Sequence, residues 1–163
     1  MYAGGLMNGF LKTLQDGYHH QMERHHNLPF LKAAMAACAL VATADGEVSF
    51  SERVRVDQIV ETLEELSVFD PHEAVNLFVG YCDAIFKTPS IGHPEVIKEL
   101  DAVVDNPETS ELLIRLCLAV AEANGETSLV DQIEIVTLCS ILELDPTHFD
   151  LYKNSLIDKL IEQ

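Results

Sequence analysis

Oxygen-bearing side chains recur at short spacing in Asp45-Gly46-Glu47-Val48-Ser49-Phe50-Ser51-Glu52, at the first, third, fifth and eighth positions. Asn124, Glu126, Ser128 and Asp131 repeat that spacing. Hard cations such as Ca²⁺ or Mg²⁺ take six or more oxygens from carboxylates, amides, carbonyls and water, so two such loops together could furnish a coordination shell. The pattern is not an EF-hand, because glycine stands second rather than sixth and the late acid eighth rather than twelfth. Helix punctuation explains much of the same pattern without a metal. Gly46 and Gly125 suit helix C-termini, Ser49 and Ser128 suit N-caps, and Glu52 and Asp131 complement a helix start. Glu47 and Glu126 are needed for neither, yet the same acid recurs at the same place. Two carboxylates about 4 Å apart at an effective dielectric of about 20 repel by about 4 kcal/mol, an energy that a bound cation removes. Punctuation and a cation site both stay open.

A second group with ligand chemistry lies near the N-terminus. His19-His20 and His25-His26 bracket Glu23, and His19, Glu23 and His26 fall at i, i+4 and i+7 on one helical face, a spacing that can bind zinc. HExxH is absent, and Glu23, the one nearby base, would be occupied as a ligand, which argues against a zinc-dependent enzyme. A polar surface or an oligomer seam is the plainer account, and Zn²⁺ is disfavoured. No Gly-rich phosphate loop, GxSxG elbow or Cys/His nucleophile spacing occurs, and the His93-Pro94 segment carries no readable chemistry. No catalytic residue is expected. Cys38, Cys82, Cys117 and Cys139 lie tens of residues apart among Ala, Leu and Val, without CxxC pairs, and read as free thiols in the core.

The elements that must position these residues are helical. Leu6, Phe10, Leu14, Tyr18 and Met22 follow helical spacing and predict a first helix to about His26, broken by Asn27-Leu28-Pro29. Pro29 suits the start of a second helix ending at Ala44. Ser49-Phe50-Ser51-Glu52 has capping-box spacing and predicts a helix from Phe50 to about Leu66. Asp70-Pro71-His72-Glu73 opens another, to about Phe86. Thr88-Pro89-Ser90-Ile91-Gly92 reads as a loop, followed by a short helix from Pro94 to Val104. Helices over about Glu108 to Ala123 and Leu129 to Leu142 precede a last one starting near Asp145-Pro146. Period-two alternation is nowhere sustained, so the chain is expected to be all-α.

Moved along by 79 positions, Ala44-Asp45-Gly46-Glu47-Val48-Ser49 falls on Ala123-Asn124-Gly125-Glu126-Thr127-Ser128. The same shift pairs Cys38 with Cys117, Val41 with Val120, Val56 with Ile135, Ile59 with Leu138, Val60 with Cys139 and Leu63 with Leu142. The last four pairs share one helical face. Asp70-Pro71 recurs 75 positions later at Asp145-Pro146, so the second copy is four residues shorter there. The chain reads as one domain over 1–163: an N-terminal helix over 1–28, copy one over 30–87 and copy two over 108–163. A bundle of about seven to eight helices with an internal pseudo-twofold repeat follows, since neither copy alone buries its apolar face.

Composition limits the partners. Twenty-seven acidic residues against 10 Lys and Arg give a net charge of −17, which repels nucleic-acid backbones and attracts cations and basic partners. The longest apolar stretch, Ala33 to Ala44, falls short of the ~20 residues that span a bilayer. No direct membrane insertion is expected, and the N-terminus lacks the features of a signal peptide, so a cytoplasmic location is expected.

The repeated "ADGE…SxxE" and "ANGE…SxxD" between helical apolar stripes resembles the TerB family, helical modules of bacterial tellurite-resistance and stress-response systems. It is also similar to the N-terminal domain of some DnaJ-like co-chaperones. The likeness runs roughly from Phe30 to Leu144. It implies a non-enzymatic, metal-associated module acting with other tellurite-resistance components, including membrane-embedded ones. Its motif points to Asp45, Glu47, Glu52, Glu126 and Asp131 as metal-site positions, with Asn124 standing where the first copy has Asp45. The expectation is a Ca²⁺- or Mg²⁺-binding interaction module. A metal-free acidic adaptor docking a basic partner is the alternative, and self-association stays open.

Overall fold

The computed structural model describes the backbone of residues 2–149 and 151 and the side chains of residues 9, 11–15, 27–149 and 151. Its α-helices are Tyr2–Ala42 (α1), Phe50–Thr62 (α2), Pro71–Lys87 (α3), Pro89–Ile97 (α4), Pro107–Ala121 (α5) and Leu129–Ile141 (α6). Short 3₁₀ turns cover Glu64–Leu66, Lys98–Ala102, Glu122–Asn124 and Pro146–Phe149, and there is no strand among the described residues. The fold is all-α.

The second half of α1 is the centre of the core. Leu31 and every residue from Ala33 to Ala42 are buried, while Lys32 is exposed. A helix that is apolar all round must be covered all round. α3, α4, α5 and α6 all pack on it, and its many alanines let them approach closely. Among the described residues no helix is long and apolar enough to cross a membrane.

Two expected breaks are absent. Asn27-Leu28-Pro29 does not divide α1, which runs through Pro29. A proline inside a helix forfeits one hydrogen bond and costs about 3 kcal/mol. Here Leu28 and Phe30 pack against the core on either side of it, and Asn27 Nδ2 donates to the Glu65 carbonyl at 3.4 Å. Tertiary contacts therefore hold the segment helical. Likewise, 88–92 is not a loop, since α4 begins at Pro89 and passes into a 3₁₀ turn at Lys98. Gly92 reads as a breaker but serves packing: a Cβ there would lie 2.0 Å from the Ala84 carbonyl oxygen. Only glycine lets α4 come that close to α3.

α2 packs on α3, α5 and the 122–124 turn, whereas α6 packs on α1 and α5. The helix after each acidic loop thus leans on the helix that leads into the other loop. Arg55 Nη1 fastens one crossing by donating to the Ala119 carbonyl at 2.9 Å. Of the residues paired by the 79-position shift, Cys38, Val41, Val56, Ile59 and Val60 are buried, as are Cys117, Val120, Ile135, Leu138 and Cys139. All four cysteines are free. Burial pushes the Cys38 and Cys82 thiols up to about 12 and Cys139 to about 11, with Cys117 also raised well above the ordinary value. They pack as small hydrophobic groups rather than as nucleophiles.

Candidate functional site

Each acidic loop is built by the same local chemistry. Gly46 (φ 92°) and Gly125 (φ 100°) take the left-handed conformation that ends the preceding helix. Their N–H groups donate to the carbonyls of Thr43 and Glu122, at 3.0 and 2.9 Å. Ser49 and Ser128 then cap α2 and α6 with nearly the same extended backbone, φ −74° and ψ 159° against φ −67° and ψ 160°. Their hydroxyl oxygens accept from the N–H of Glu52 and of Asp131, each at 3.1 Å.

The crossed packing brings the loops together. Ser49 Oγ donates to Asn124 Oδ1 at 3.2 Å, spanning 75 positions of sequence. Two carboxyl groups turn inward beside this contact, Glu52 at 2% exposure and Asp131 at 7%. Glu52 completes a capping box, its Oε1 accepting from the Ser49 N–H at 3.0 Å. Asp131 is one methylene shorter and makes no such return bond, and its Oδ1 is buried without a hydrogen-bond partner. An unmatched buried carboxylate oxygen costs about 1–3 kcal/mol, more when charged.

The electrostatics place three acids within reach of one another. Burial is the main cause pushing the Glu52 carboxyl above its ordinary range; hydrogen bonds from Ser49 pull it down, and Asp131 and Asp45 push it further up. Burial also raises Asp131, opposed by hydrogen bonding from Ser128 and helped by Asp45. Asp45 itself is exposed and closes a small turn, its Oδ1 accepting from the Glu47 N–H at 3.1 Å. Glu47 and Glu126, the acids that capping leaves over, are exposed. The centre of the site is therefore Glu52 and Asp131, with Asp45 and Asn124 at its edge. Among the described residues, no group of three or more His, Cys, Asp or Glu side chains is arranged to hold a metal ion. The side chains of His19, His20, Glu23, His25 and His26 lie outside the described residues.

One pairing had no legible signal in the sequence. His93 Nε2 and Glu134 Oε1 stand 2.8 Å apart, joining α4 to α6 across 41 positions. Neither residue belongs to a motif, and the contact is made only where α4 and α6 meet in the folded chain.

Residues 31–154 match the family described as tellurite resistance protein TerB. The chain is similar to the tellurium resistance protein TerB of Alcaligenes sp, at 29% identity over 110 residues that cover 68% of this chain and 90% of that protein. No solved structure matches. The matched segment begins where α1 enters the core and contains both acidic loops, and the chain belongs to the TerB tellurite-resistance family.

Proposed function

We propose that this chain is a non-enzymatic, cytoplasmic tellurite-resistance and stress-response module whose paired acidic loops bind a divalent cation, Ca²⁺ or Mg²⁺, and thereby set the surface offered to partner proteins. The observation that carries this reading is the unpartnered, buried Asp131 Oδ1 beside Glu52. A carboxylate oxygen that the fold desolvates and leaves unmatched gains most from a cation. The donors fit a hard ion, being carboxylate and amide oxygens with no thiol or imidazole among them. Among the described residues no three acids converge on one point, so Glu52 and Asp131 would supply the central carboxylates, and Asp45, Glu47, Glu126 and Asn124, which stand along the same two loops, would close on the ion as it binds. The cation would neutralise the mutual repulsion of these acids and tie the loops to one another. Family membership favours other tellurite-resistance components, some at the membrane, as partners.

Melting curves in EDTA and in millimolar Ca²⁺ or Mg²⁺ test this. A ligand selective for the native state raises Tm, and about 10 mM cation at a Kd of about 1 mM contributes about 1.4 kcal/mol. The gain should vanish in Glu52→Gln with Asp131→Asn; curves that coincide with and without cation in the unaltered protein reject the reading. The second reading is a metal-free acidic adaptor. The Ser49–Asn124 bond favours it, because that bond closes the two loops on each other through protein atoms alone. It predicts partner binding that weakens with salt and ignores chelators.

A further inference from the structure

Away from the acidic centre, a cleft of about 580 Å³ opens between the end of α1, α3, α4 and α6. Leu40, Ile85 and Phe86 supply apolar lining, and Gly46 of the first acidic loop reaches its edge. Among the described residues, no Lys or Arg lines it. Its titratable lining is the His93–Glu134 pair, whose side chains are 36% and 17% exposed, beside the hydroxyls of Thr43 and Ser90. Apolar exposure continues past the cleft along the elements that form its walls. Phe86 is 43% exposed and Ile91 58% on one side, and Val130 is 46% and Ile133 58% exposed on α6. Exposed apolar side chains on the elements that wall a cleft mark a candidate binding face. A small molecule confined to the cleft would leave Ile91, Val130 and Ile133 wet, whereas a helix laid along it covers them.

Charge selects the kind of helix. The protein carries −17 overall, the cleft holds a half-buried carboxylate at Glu134, and Gly46 lies between the exposed acids Asp45 and Glu47. We propose that this cleft is the docking groove for a basic amphipathic helix of a partner protein. The helix seats apolar side chains against Phe86 and the exposed Ile91, Val130 and Ile133, over a floor formed by the buried Leu40 and Ile85, and sets a Lys or Arg on the Glu134 carboxylate beside His93. The assignment rests on the reading of the domain as an interaction module and is independent of the cation.

The test is binding of a synthetic Leu/Lys amphipathic peptide of about 18 residues, about five helical turns, measured by calorimetry in EDTA. Its Leu/Glu counterpart and a scrambled Leu/Lys peptide of equal composition are the controls. The Leu/Lys peptide should bind, and the two controls should bind at least about tenfold more weakly. Phe86→Asp and, independently, Glu134→Lys should each weaken binding by about tenfold or more. Glu61→Gln with Glu64→Gln removes two charges outside the cleft and should leave the Kd within about twofold. Unaltered melting curves certify each variant, and Glu134→Lys decides alone if Phe86→Asp does not fold. Absence of binding, equal binding of the scrambled peptide, or binding indifferent to Phe86→Asp and Glu134→Lys overturns the proposal. Because calorimetry is run in EDTA, a failed groove and a failed cation site give separate results.

Discussion

The loops at 45–52 and 124–131 share a backbone and differ in what their polar groups do. In the first, Asp45 folds onto its own loop and Glu52 closes a capping box, so both acids bond locally while the Ser49 hydroxyl donates across to the other loop. In the second, Asn124 reaches across to Ser49 and Asp131 keeps only half of the box, with one oxygen unmatched in a buried place. The substitutions point the same way. Replacing Asp by Asn removes a charge next to two buried carboxyls, and replacing Glu by Asp withdraws the group that would have satisfied the cap. A repeated backbone thus supports one loop whose acids are matched locally and one that leaves a buried carboxylate oxygen unmatched.

The largest effect should come from removing what the loops share. Gly46→Val and Gly125→Val each force a β-branched residue into the left-handed region and should each cost about 2 kcal/mol or more by urea denaturation. A wide gap between them would break the equivalence of the two backbones. Next, Ser49→Ala should cost about 2 kcal/mol, because it removes both the α2 cap and the bond to Asn124, against about 1 kcal/mol for Ser128→Ala. Equal losses would mean that the contact between loops contributes nothing. Asn124→Asp restores the missing acid. It should lower Tm in EDTA and increase the Tm gain in Ca²⁺ by several degrees over the unaltered protein, since added ligand charge raises Ca²⁺ affinity. A variant that is less stable in EDTA yet gains nothing from Ca²⁺ would separate the loops from any cation.

The smallest effect is that of pH. Glu52 and Asp131 are raised above their ordinary values of 4.5 and 3.8, so the folded protein holds these protons more tightly than the unfolded chain does. Their contribution to stability is full below those ordinary values and is lost as pH rises through the raised folded values. In EDTA, Tm should fall by a few degrees as pH rises above the ordinary values of 3.8 and 4.5, with Glu52→Gln/Asp131→Asn flattening the fall. Ca²⁺ should reduce it too, by taking the place of the proton. A Tm that rises with pH instead would mean that other carboxylates dominate, such as Asp145, which hydrogen bonds from Thr147 hold below its ordinary value.

Legibility followed range along the chain. The capping box at Ser49 and Glu52, the left-handed glycines and the Asp-Pro start of α3 could all be read in advance, because their partners lie within four residues. The four cysteines were legible as core because burial of small apolar side chains is encoded by their neighbours. The acids that the spacing singled out, Glu47 and Glu126, are exposed, while Glu52 and Asp131, which capping already explained, are the buried ones. Capping and burial are separate facts about one side chain, and spacing reports only the first.

The sequence by itself determined the all-α class, the two loop backbones and the residues that cap them, since hydrogen bonds over three or four residues depend little on what surrounds them. Tertiary structure decided that α1 continues through Pro29, that Gly92 admits α4 against α3, that the loops meet at Ser49 and Asn124, and that His93 faces Glu134. Those outcomes depend on how the helices cross, because a carboxyl group 41 or 75 positions away enters the local balance of solvation and charge only once packing has carried it there.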